Sequence, residues 1–274
     1  MNLLILIPAR YGSTRFPGKP LAKIHGKSML SRVIEAAQLA MKGYEDIDLI
    51  VASDNEEIIK HAAEHGAAAI LTPESCKTGT DRAIAAVRQL PEYPDQVISL
   101  QGDVPLIPVD VIRKMIDTMK QNPHLDVVTP VHNLSWDDLD RLREAKKETP
   151  FSGTTVIMDE DERAVWFSKA ILPTIRKEKE LRQEMNMSPV WRHIGLYGYR
   201  VDILEKFTLL GESFYEKLEG LEQLRLLENK IGITCVPVDI PQGALLSGID
   251  TLEDLARAEA LLQRQEQEKQ PRHA

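Results

Sequence analysis

The chain has 274 residues, of which 43% are hydrophobic and 28% charged, so it is long enough to bury one large core or two modest ones. Its formal net charge of −8 argues against a general nucleic-acid binder, because counterion-driven binding requires a broad basic surface. No apolar run approaches the roughly eighteen residues of a membrane span, so no membrane insertion is expected. Cys76 and Cys235 lie far apart and predict neither a zinc site nor a disulfide framework, which fits a reducing cytoplasm.

Apolar runs alternate with segments of helical period in the first half of the chain. The apolar run at 3–7 is interpreted as a buried strand and not a signal peptide, because no cationic segment precedes it and a charged loop follows at once. Further strands are predicted at 48–53, 96–100 and 126–131, with helices at 28–43, 55–65 and 79–90. This alternation predicts an α/β fold with a mostly parallel, Rossmann-like sheet flanked by helices.

The pattern changes after residue 131, where a smaller, partly antiparallel lobe is predicted over 132–204. Its predicted elements are a helix at 135–148, two strands around an acidic turn within 153–168, a polar stretch without clear period at 176–189, and an apolar strand at 193–200. The core, assigned to 1–131, is expected to resume over 205–262 with a helical stretch at 218–229 and a strand at 233–240. A frayed helix end or disordered tail is expected over 263–274.

A basic loop, "PARYGSTRFPGKPL" at 8–21, follows the first predicted strand in this acidic chain. Ligands of open parallel sheets bind beyond the carboxyl ends of the strands, which places this loop at the expected site. Arg10, Arg15 and Lys19, with the flexible backbone of Gly12 and Gly18, suit a triphosphate. The alternative is a solvated loop whose cations pair with nearby carboxylates. Neither the Walker pattern nor G-x-G-x-x-G is present.

Two aspartates are candidates for a Mg²⁺ site. Asp103, in "SLQGDVPLI", follows a predicted sheet strand, and a hard cation there takes one or two carboxylates plus phosphate oxygens. Asp250, in "SGIDTLEDLARAEAL", could supply the second carboxylate. The alternatives are that Asp103 caps a turn after Gly102 and that Asp250 is a helix N-cap with Glu253 completing a capping box.

A polar turn, "TGTDRAIAAV" at 78–87, begins a predicted helix, with Arg82 one turn in. Its backbone N–H groups and hydroxyls could bind a nucleobase or phosphate, whereas the alternative is simple helix capping.

These segments together resemble a known family. "IPARYGSTRFPGKPL", "ASDNEEI", "TGTDR", "QGDVPLIP", "FSKAILP", "RHIGLYGYR", "LEGLEQLRLLE" and "GIDTLEDL", in this order, resemble the 3-deoxy-manno-octulosonate (Kdo) cytidylyltransferases, or CMP-Kdo synthetases, over about residues 3–262. The resemblance implies an enzyme that joins CTP to an acidic eight-carbon sugar and releases pyrophosphate. It also implies Mg²⁺, a homodimer and a cytoplasmic step of lipopolysaccharide synthesis.

The resemblance also implies roles for particular residues. The triphosphate is expected at Arg10, Arg15 and Lys19, and Mg²⁺ at Asp103 and Asp250. Cytosine and ribose are expected near Thr78, Gly79, Thr80 and Arg82. Gln101, in the "QGD" element, is expected to contact the nucleotide as well. The sugar is expected at a third group: His193, Tyr197, Glu222 and Gln223.

One segment departs from the family pattern. "FSGTTVIMD" has Thr154 or Thr155 where the family commonly has a lysine, which leaves open an amino-substituted Kdo or another 3-deoxy-ulosonate as the sugar. Two other classes also stay open. A nucleotide-sugar-binding regulator would not need aspartates at both Asp103 and Asp250, and a glycosyltransferase usually carries a D-x-D-like motif, of which "QGDVP" has one aspartate.

Overall fold

The structure is a computed structural model that describes residues 2–12, 16–241, 248–249 and 251–269, the last six by their backbone alone. The chain forms two compact units. The first comprises 1–94, 99–112 and 242–274, and the second comprises 95–98 and 113–241.

Strands and helices alternate along the described chain. The strands are β1 Leu3–Pro8, β2 Lys23–Ile24, β3 Lys27–Ser28, β4 Ile47–Ser53, β5 Ala68–Leu71, β6 Gln96–Ser99, β7 Val127–Ser135, β8 Thr155–Met158, β9 Ala164–Ser168, β10 Met187–His193, β11 Tyr197–Arg200 and β12 Ile233–Pro237. The helices are α1 Met29–Met41, α2 Glu56–Glu64, α3 Gly79–Val87, α4 Val109–Gln121, α5 Trp136–Glu148, α6 Glu178–Glu184, α7 Val201–Leu209, α8 Phe214–Glu219, α9 Gln223–Glu228 and α10 Leu252–Lys269. None of the helices in the described part of the chain combines the length and apolar character that crossing a membrane requires.

The first unit has a parallel sheet at its centre. Its strand order is β5, β4, β1, and both pairings are parallel. All six residues of β1 are buried, as expected for a strand covered on both faces. Beyond β6, the N–H of Leu100 donates to the carbonyl of Leu6, so the loop at 100–107 lies beside the end of β1. The predicted α/β fold is confirmed.

The second unit contains the predicted antiparallel pairings. Its strand order is β6, β11, β7, β10, β8, β9, and β12 lies parallel to β7. The two strands around the acidic turn, β8 and β9, form an antiparallel hairpin, and β10 pairs antiparallel with both β8 and β7. β7 runs to Ser135, four residues further than predicted, because β10 pairs with that extension.

Side-chain caps define where several helices begin. Asn55 caps α2 by accepting hydrogen bonds from the N–H groups of Glu57 and Ile58, which confirms the predicted start. Thr251 caps α10: its Oγ1 accepts from the Asp254 N–H, and the Asp254 carboxylate accepts from the Thr251 N–H. Asp250, which was considered as the cap together with Glu253, lies outside the described residues.

Other elements differ from the predictions. The polar stretch at 176–189 contains α6 and the start of β10, the strand predicted at 193–200 is interrupted between His193 and Tyr197, and the helical stretch at 218–229 is divided at Gly220. Gly220 has φ +63°, a left-handed conformation that ends α8. The structure also contains β5, α4 and α7, which the pattern did not predict, and α10 continues through 263–269.

Candidate active site

The first unit brings three predicted segments to the carboxyl end of β1. A Cβ atom placed on Gly102 would lie 3.1 Å from the carbonyl oxygen of Pro8, and one placed on Gly79 would lie 3.2 Å from Gln101 Oε1. Both contacts are tight, so these glycines allow the loop after β6 and the start of α3 to approach the loop after β1 closely. Arg10 is exposed at the start of that loop. Arg15 lies outside the described residues.

Lys19 and Asp103 form an ion pair in this region. Lys19 Nζ lies 2.9 Å from Asp103 Oδ2, and the two side chains are 14% and 33% exposed. The predicted phosphate-binding cation and the predicted metal-binding carboxylate are therefore neighbours, although 84 positions separate them in sequence. The pairing with a carboxylate also agrees with one part of the alternative interpretation, in which the cations of a solvated loop pair with nearby carboxylates.

The backbone at 248–249 lies against Asp103. The N–H of Ile249 donates to the Asp103 carbonyl at 2.9 Å, and a Cβ on Gly248 would lie 3.3 Å from the Asp103 carboxyl carbon. Asp250 itself lies outside the described residues, so its predicted role is untested. The adjacent segment nevertheless reaches the carboxylate with which Asp250 was expected to act.

The residues around Asp103 suit a magnesium ion. A partly exposed carboxylate is a ligand that hard divalent cations prefer, and Mg²⁺ usually keeps several waters and binds phosphate oxygens as well. Among the residues described, no group of three or more His, Cys, Asp or Glu side chains could hold a metal. Asp103 is a single carboxylate ligand of the kind that a Mg²⁺ ion completed by phosphate oxygens and waters would use.

The start of α3 is capped by its own residues. Thr78 Oγ1 accepts from the Asp81 N–H, and the Asp81 carboxylate accepts from the Thr78 N–H. The predicted alternative of helix capping is thus present at Thr78. Thr80 is buried, and Gln101 Nε2 lies 3.4 Å from Ser99 Oγ. A nucleotide contact at these positions stays a prediction.

Arg82 has protein partners within the first unit. Its guanidinium donates to Asp54 and to the Thr72 hydroxyl, each at 2.6 Å, and only 2% of Arg82 is exposed. The other Asp54 oxygen accepts from the Tyr11 N–H at 3.4 Å. Arg82 therefore joins α3, through Asp54, to the beginning of the basic loop. The sequence interpretation assigned no site role to Asp54.

The second unit brings together His193 and Tyr197, whose ring centroids are 5.3 Å apart. His193 Nε2 lies 2.9 Å from Thr129 Oγ1. Burial, followed by the positive charge of Lys169, lowers the pKa of His193 to about 3. Burial, with Tyr199 and Glu222 nearby, raises the pKa of Tyr197 well above its usual value. Both side chains are thus uncharged at physiological pH.

Glu222 and Gln223 lie at the start of α9. Glu222 acts on the pKa of Tyr197, which places the two predicted residues in one electrostatic environment. Gln223 is 6% exposed, and its Nε2 has no hydrogen-bond partner among the described residues. An unpaired buried donor is costly unless a ligand satisfies it, which fits the predicted contact with a polyhydroxylated sugar.

The sequence interpretation missed three cations near these residues, namely Lys146, Lys169 and Arg192. Burial and the neighbouring charges of Lys169 and Arg192 lower the pKa of Lys146, whose ammonium donates to the carbonyls of Gly153 and Lys169. The departure from the family pattern lies beside them: Thr155 Oγ1 donates to Ala170 O and accepts from Leu172 N–H. The hydroxyl of Thr155 therefore forms its hydrogen bonds with the backbone of its own lobe.

A cavity of about 390 Å³ in the first unit contains none of the predicted site residues. It is lined by residues of the β2–β3 turn, α1 and α2: Leu21, Lys23, Gly26, Lys27, Ser28, Ser31, Glu35, His61 and His65. The predicted site residues that come together do not line this cavity, and no function is assigned to it.

Comparisons with known proteins identify the family of this chain. A family model described as Cytidylyltransferase matches residues 4–233. The 3-deoxy-manno-octulosonate cytidylyltransferase of Maricaulis maris is 42% identical, covering 96% of this chain and 97% of that protein. The protein of the same name from Elusimicrobium minutum is 37% identical, covering 94% of this chain and 96% of that protein.

Solved structures give the same result. CMP:2-keto-3-deoxy-manno-octonic acid synthetase complexed with CTP matches with a TM-score of 0.81 and 31% identity, covering 97% of this chain and 100% of that chain. A cytidylyltransferase from Leptospira borgpetersenii, at 16% identity and a TM-score of 0.56 with 100% and 99% coverage, shares the fold. This chain is therefore a cytidylyltransferase and belongs to the 3-deoxy-manno-octulosonate cytidylyltransferase family.

Proposed function

We propose that the protein activates 3-deoxy-manno-octulosonate with CTP to give CMP-Kdo and pyrophosphate. The observation that carries the proposal is the pairing of Lys19 with Asp103 beside the end of β1, in a chain that matches, over 97% of its length, a synthetase structure that contains CTP. The names of the curated relatives support the same sugar.

The reaction needs positioning and electrostatic stabilisation and no covalent intermediate on the protein. The anomeric hydroxyl of the sugar attacks the α-phosphorus of CTP in line, and pyrophosphate leaves. Arg10, Arg15 and Lys19 hold the negative charge of the triphosphate, and the start of α3 holds the nucleoside. His193, Tyr197, Glu222 and Gln223 orient the sugar.

We also propose that Asp103 and Asp250 hold Mg²⁺. When bound, the ion would neutralise charge that develops on the phosphate oxygens. Lys19 lies 2.9 Å from Asp103, so the same carboxylate orients the lysine that faces the phosphates. The position of Asp103 between Lys19 and the 248–249 backbone supports this assignment.

The sugar is recognised in a lobe where Thr154 or Thr155 stands in place of the lysine common in the family. The hydroxyl of Thr155 is hydrogen-bonded to the backbone, so it is not a free polar group for binding the sugar. We take Kdo as the sugar, with an amino-substituted Kdo as the alternative, and we infer a homodimer acting in the cytoplasm in lipopolysaccharide synthesis. The two free cysteines support a reducing compartment.

The test is an assay of pyrophosphate release with each of the four ribonucleoside triphosphates, with and without sugar. We expect release with CTP that requires Kdo and stops in EDTA. Comparison of Kdo with 8-amino-Kdo assigns the sugar. Equal rates with ATP, or release without any sugar, would contradict the proposal.

Removing the carboxylate tests the metal site. Asp103→Asn should lower turnover by about two to four orders of magnitude, the usual size of an electrostatic catalytic contribution. Asp110→Asn, an exposed carboxylate in the first turn of α4, is the matched control and should keep the wild-type rate. If Asp103→Asn keeps the wild-type rate and Mg²⁺ requirement, Asp103 does not hold the ion.

A further inference from the structure

The imidazole of His193 is held between β7 and two aromatic side chains. Its ring centroid lies 5.1 Å from that of Phe167 and 5.3 Å from that of Tyr197. Its lowered pKa of about 3, caused by burial and then by Lys169, keeps the ring neutral at physiological pH. One ring nitrogen of a neutral imidazole carries the proton, and the other presents a lone pair.

The hydrogen bonds of Thr129 determine which nitrogen carries that proton. Thr129 is fully buried, and its Oγ1 lies 2.8 Å from the carbonyl oxygen of Leu196 and 2.9 Å from His193 Nε2. The carbonyl oxygen can only accept, so the single hydroxyl proton of Thr129 goes to Leu196. Thr129 Oγ1 is then left to accept from the Nε2–H of His193. The reverse arrangement would deprive the buried Leu196 carbonyl of this donor, which is unfavourable.

The other nitrogen, Nδ1, consequently presents its lone pair. Within the described chain no hydrogen bond to Nδ1 is present, and His193 is partly exposed. An acceptor of this kind requires a donor from outside the protein. A sugar hydroxyl can donate, whereas an ionised carboxylate cannot.

We propose that Thr129 is a positioning residue that holds His193 as the Nε2–H tautomer, so that Nδ1 accepts a hydrogen bond from a hydroxyl group of the sugar. The role rests on the proposed function, which places the sugar at His193. His193 then serves as a fixed acceptor in sugar recognition and transfers no proton in the reaction.

Two substitutions at Thr129 separate the hydroxyl from the shape of the side chain. Thr129→Val keeps the volume and removes the hydroxyl, and it should raise the KM for Kdo about tenfold with little change in the KM for CTP, since about one hydrogen bond is lost. Thr129→Ser keeps the hydroxyl and should stay within about threefold of wild type. Equal KM values for Kdo in the valine variant and wild type would overturn the proposal.

The tautomer can be observed without any activity. Nitrogen-15 NMR of the labelled full-length protein should show His193 with its proton on Nε2 between pH 6 and pH 8, and Thr129→Val should lose this preference. The signal is assigned by its absence from His193→Gln. A proton on Nδ1 in wild type would overturn the proposal even in a fully active enzyme. An enzyme that does not use Kdo, with the Nε2–H tautomer intact, would instead count against the proposed function.

A second pair of variants decides the matter if Thr129→Val does not fold. The side-chain carbonyl of asparagine can replace Nδ1 as an acceptor, whereas the longer glutamine amide reaches the position of Nε2. His193→Asn should therefore keep a KM for Kdo at least about tenfold lower than that of His193→Gln. The opposite order would overturn the proposed use of Nδ1.

Discussion

Lys19, in the loop after β1, is paired with a carboxylate. Its ammonium lies 2.9 Å from the Asp103 carboxylate. A cation paired in this way is held in position before CTP arrives, so little side-chain freedom is lost on binding. The pairing also means that loss of Lys19 affects stability as well as CTP binding.

Lys19→Ala should weaken CTP use about ten- to a hundred-fold, because a charge-assisted contact of roughly 1.5–3 kcal/mol is lost. The free energy of unfolding should fall by about 0–1 kcal/mol, the usual value of a partly exposed ion pair. Steady-state kinetics and thermal melts on the same protein measure both effects. Lys23→Ala, an exposed cation four residues later, is the control. An unchanged KM for CTP would contradict the phosphate role.

At the scale of elements, the packing of β11 against β7 and α4 depends on one glycine. A Cβ atom on Gly198 would lie 2.8 Å from Val128 Cγ2 and 2.2 Å from Met119 Sδ. The contact with Val128 cannot be relieved by moving the end of a flexible side chain, because Val128 is buried in β7.

Gly198→Ala should therefore lower the free energy of unfolding by about 1–3 kcal/mol through overpacking. Urea denaturation measures the change. Gly195→Ala is the matched control, since a Cβ there would meet no atom within 4 Å. Equal midpoints for the two variants would show that the second unit adjusts to the added methyl group.

The contact between α5 and α6 includes an ion pair of Arg143 with Glu178. Hydrogen bonds from Arg143 and then Arg182 lower the pKa of Glu178 from 4.5 to about 2. A carboxylate with a lowered pKa in the folded state contributes stability that is fully present above about pH 4.5 and is lost as the pH falls toward 2.

Glu178→Gln should accordingly melt below wild type at pH 7, and the difference should shrink as the pH is lowered from 5 to 3. Thermal melts across this range measure it. Glu180→Gln removes an exposed carboxylate from the same helix and should show no such pH dependence. A difference that stays constant with pH would mean that the ion pairs of Glu178 add nothing to stability.

At the scale of the whole molecule, α8 presents apolar side chains to solvent. Phe214 and Leu218 are each 66% exposed, and Tyr215 contacts both Phe214 and Trp166 edge-on. Exposed apolar surface of this kind is typical of a protein–protein interface. It supports the proposed homodimer.

We expect light scattering to give the mass of a dimer at micromolar concentration, and Phe214→Glu with Leu218→Glu to give a monomer, because a buried interface does not accept unpaired charges. Phe151→Glu, at an exposed apolar residue 77% accessible in the loop after α5, is the control and should leave the mass unchanged. A monomeric wild type would contradict the proposal.

The sequence by itself determined the parts of this protein that depend on neighbours along the chain. The buried run of β1, the start of α2 near residue 55 and the hairpin of β8 and β9 follow from short-range periodicity, helix-start signals and turn chemistry. The ordered motifs were enough to identify the family. The residues from 263 onward were predicted as a frayed helix end or disordered tail, because they have no apolar period. The backbone of α10 continues to Lys269, since these residues are good helix formers.

Only the tertiary structure decided which side chains meet. Lys19 with Asp103, Arg82 with Asp54, and Thr129 with His193 join positions 84, 28 and 64 residues apart. The composition of each segment is compatible with several partners, so these pairings depend on strand order and register, which are set by packing of the whole core.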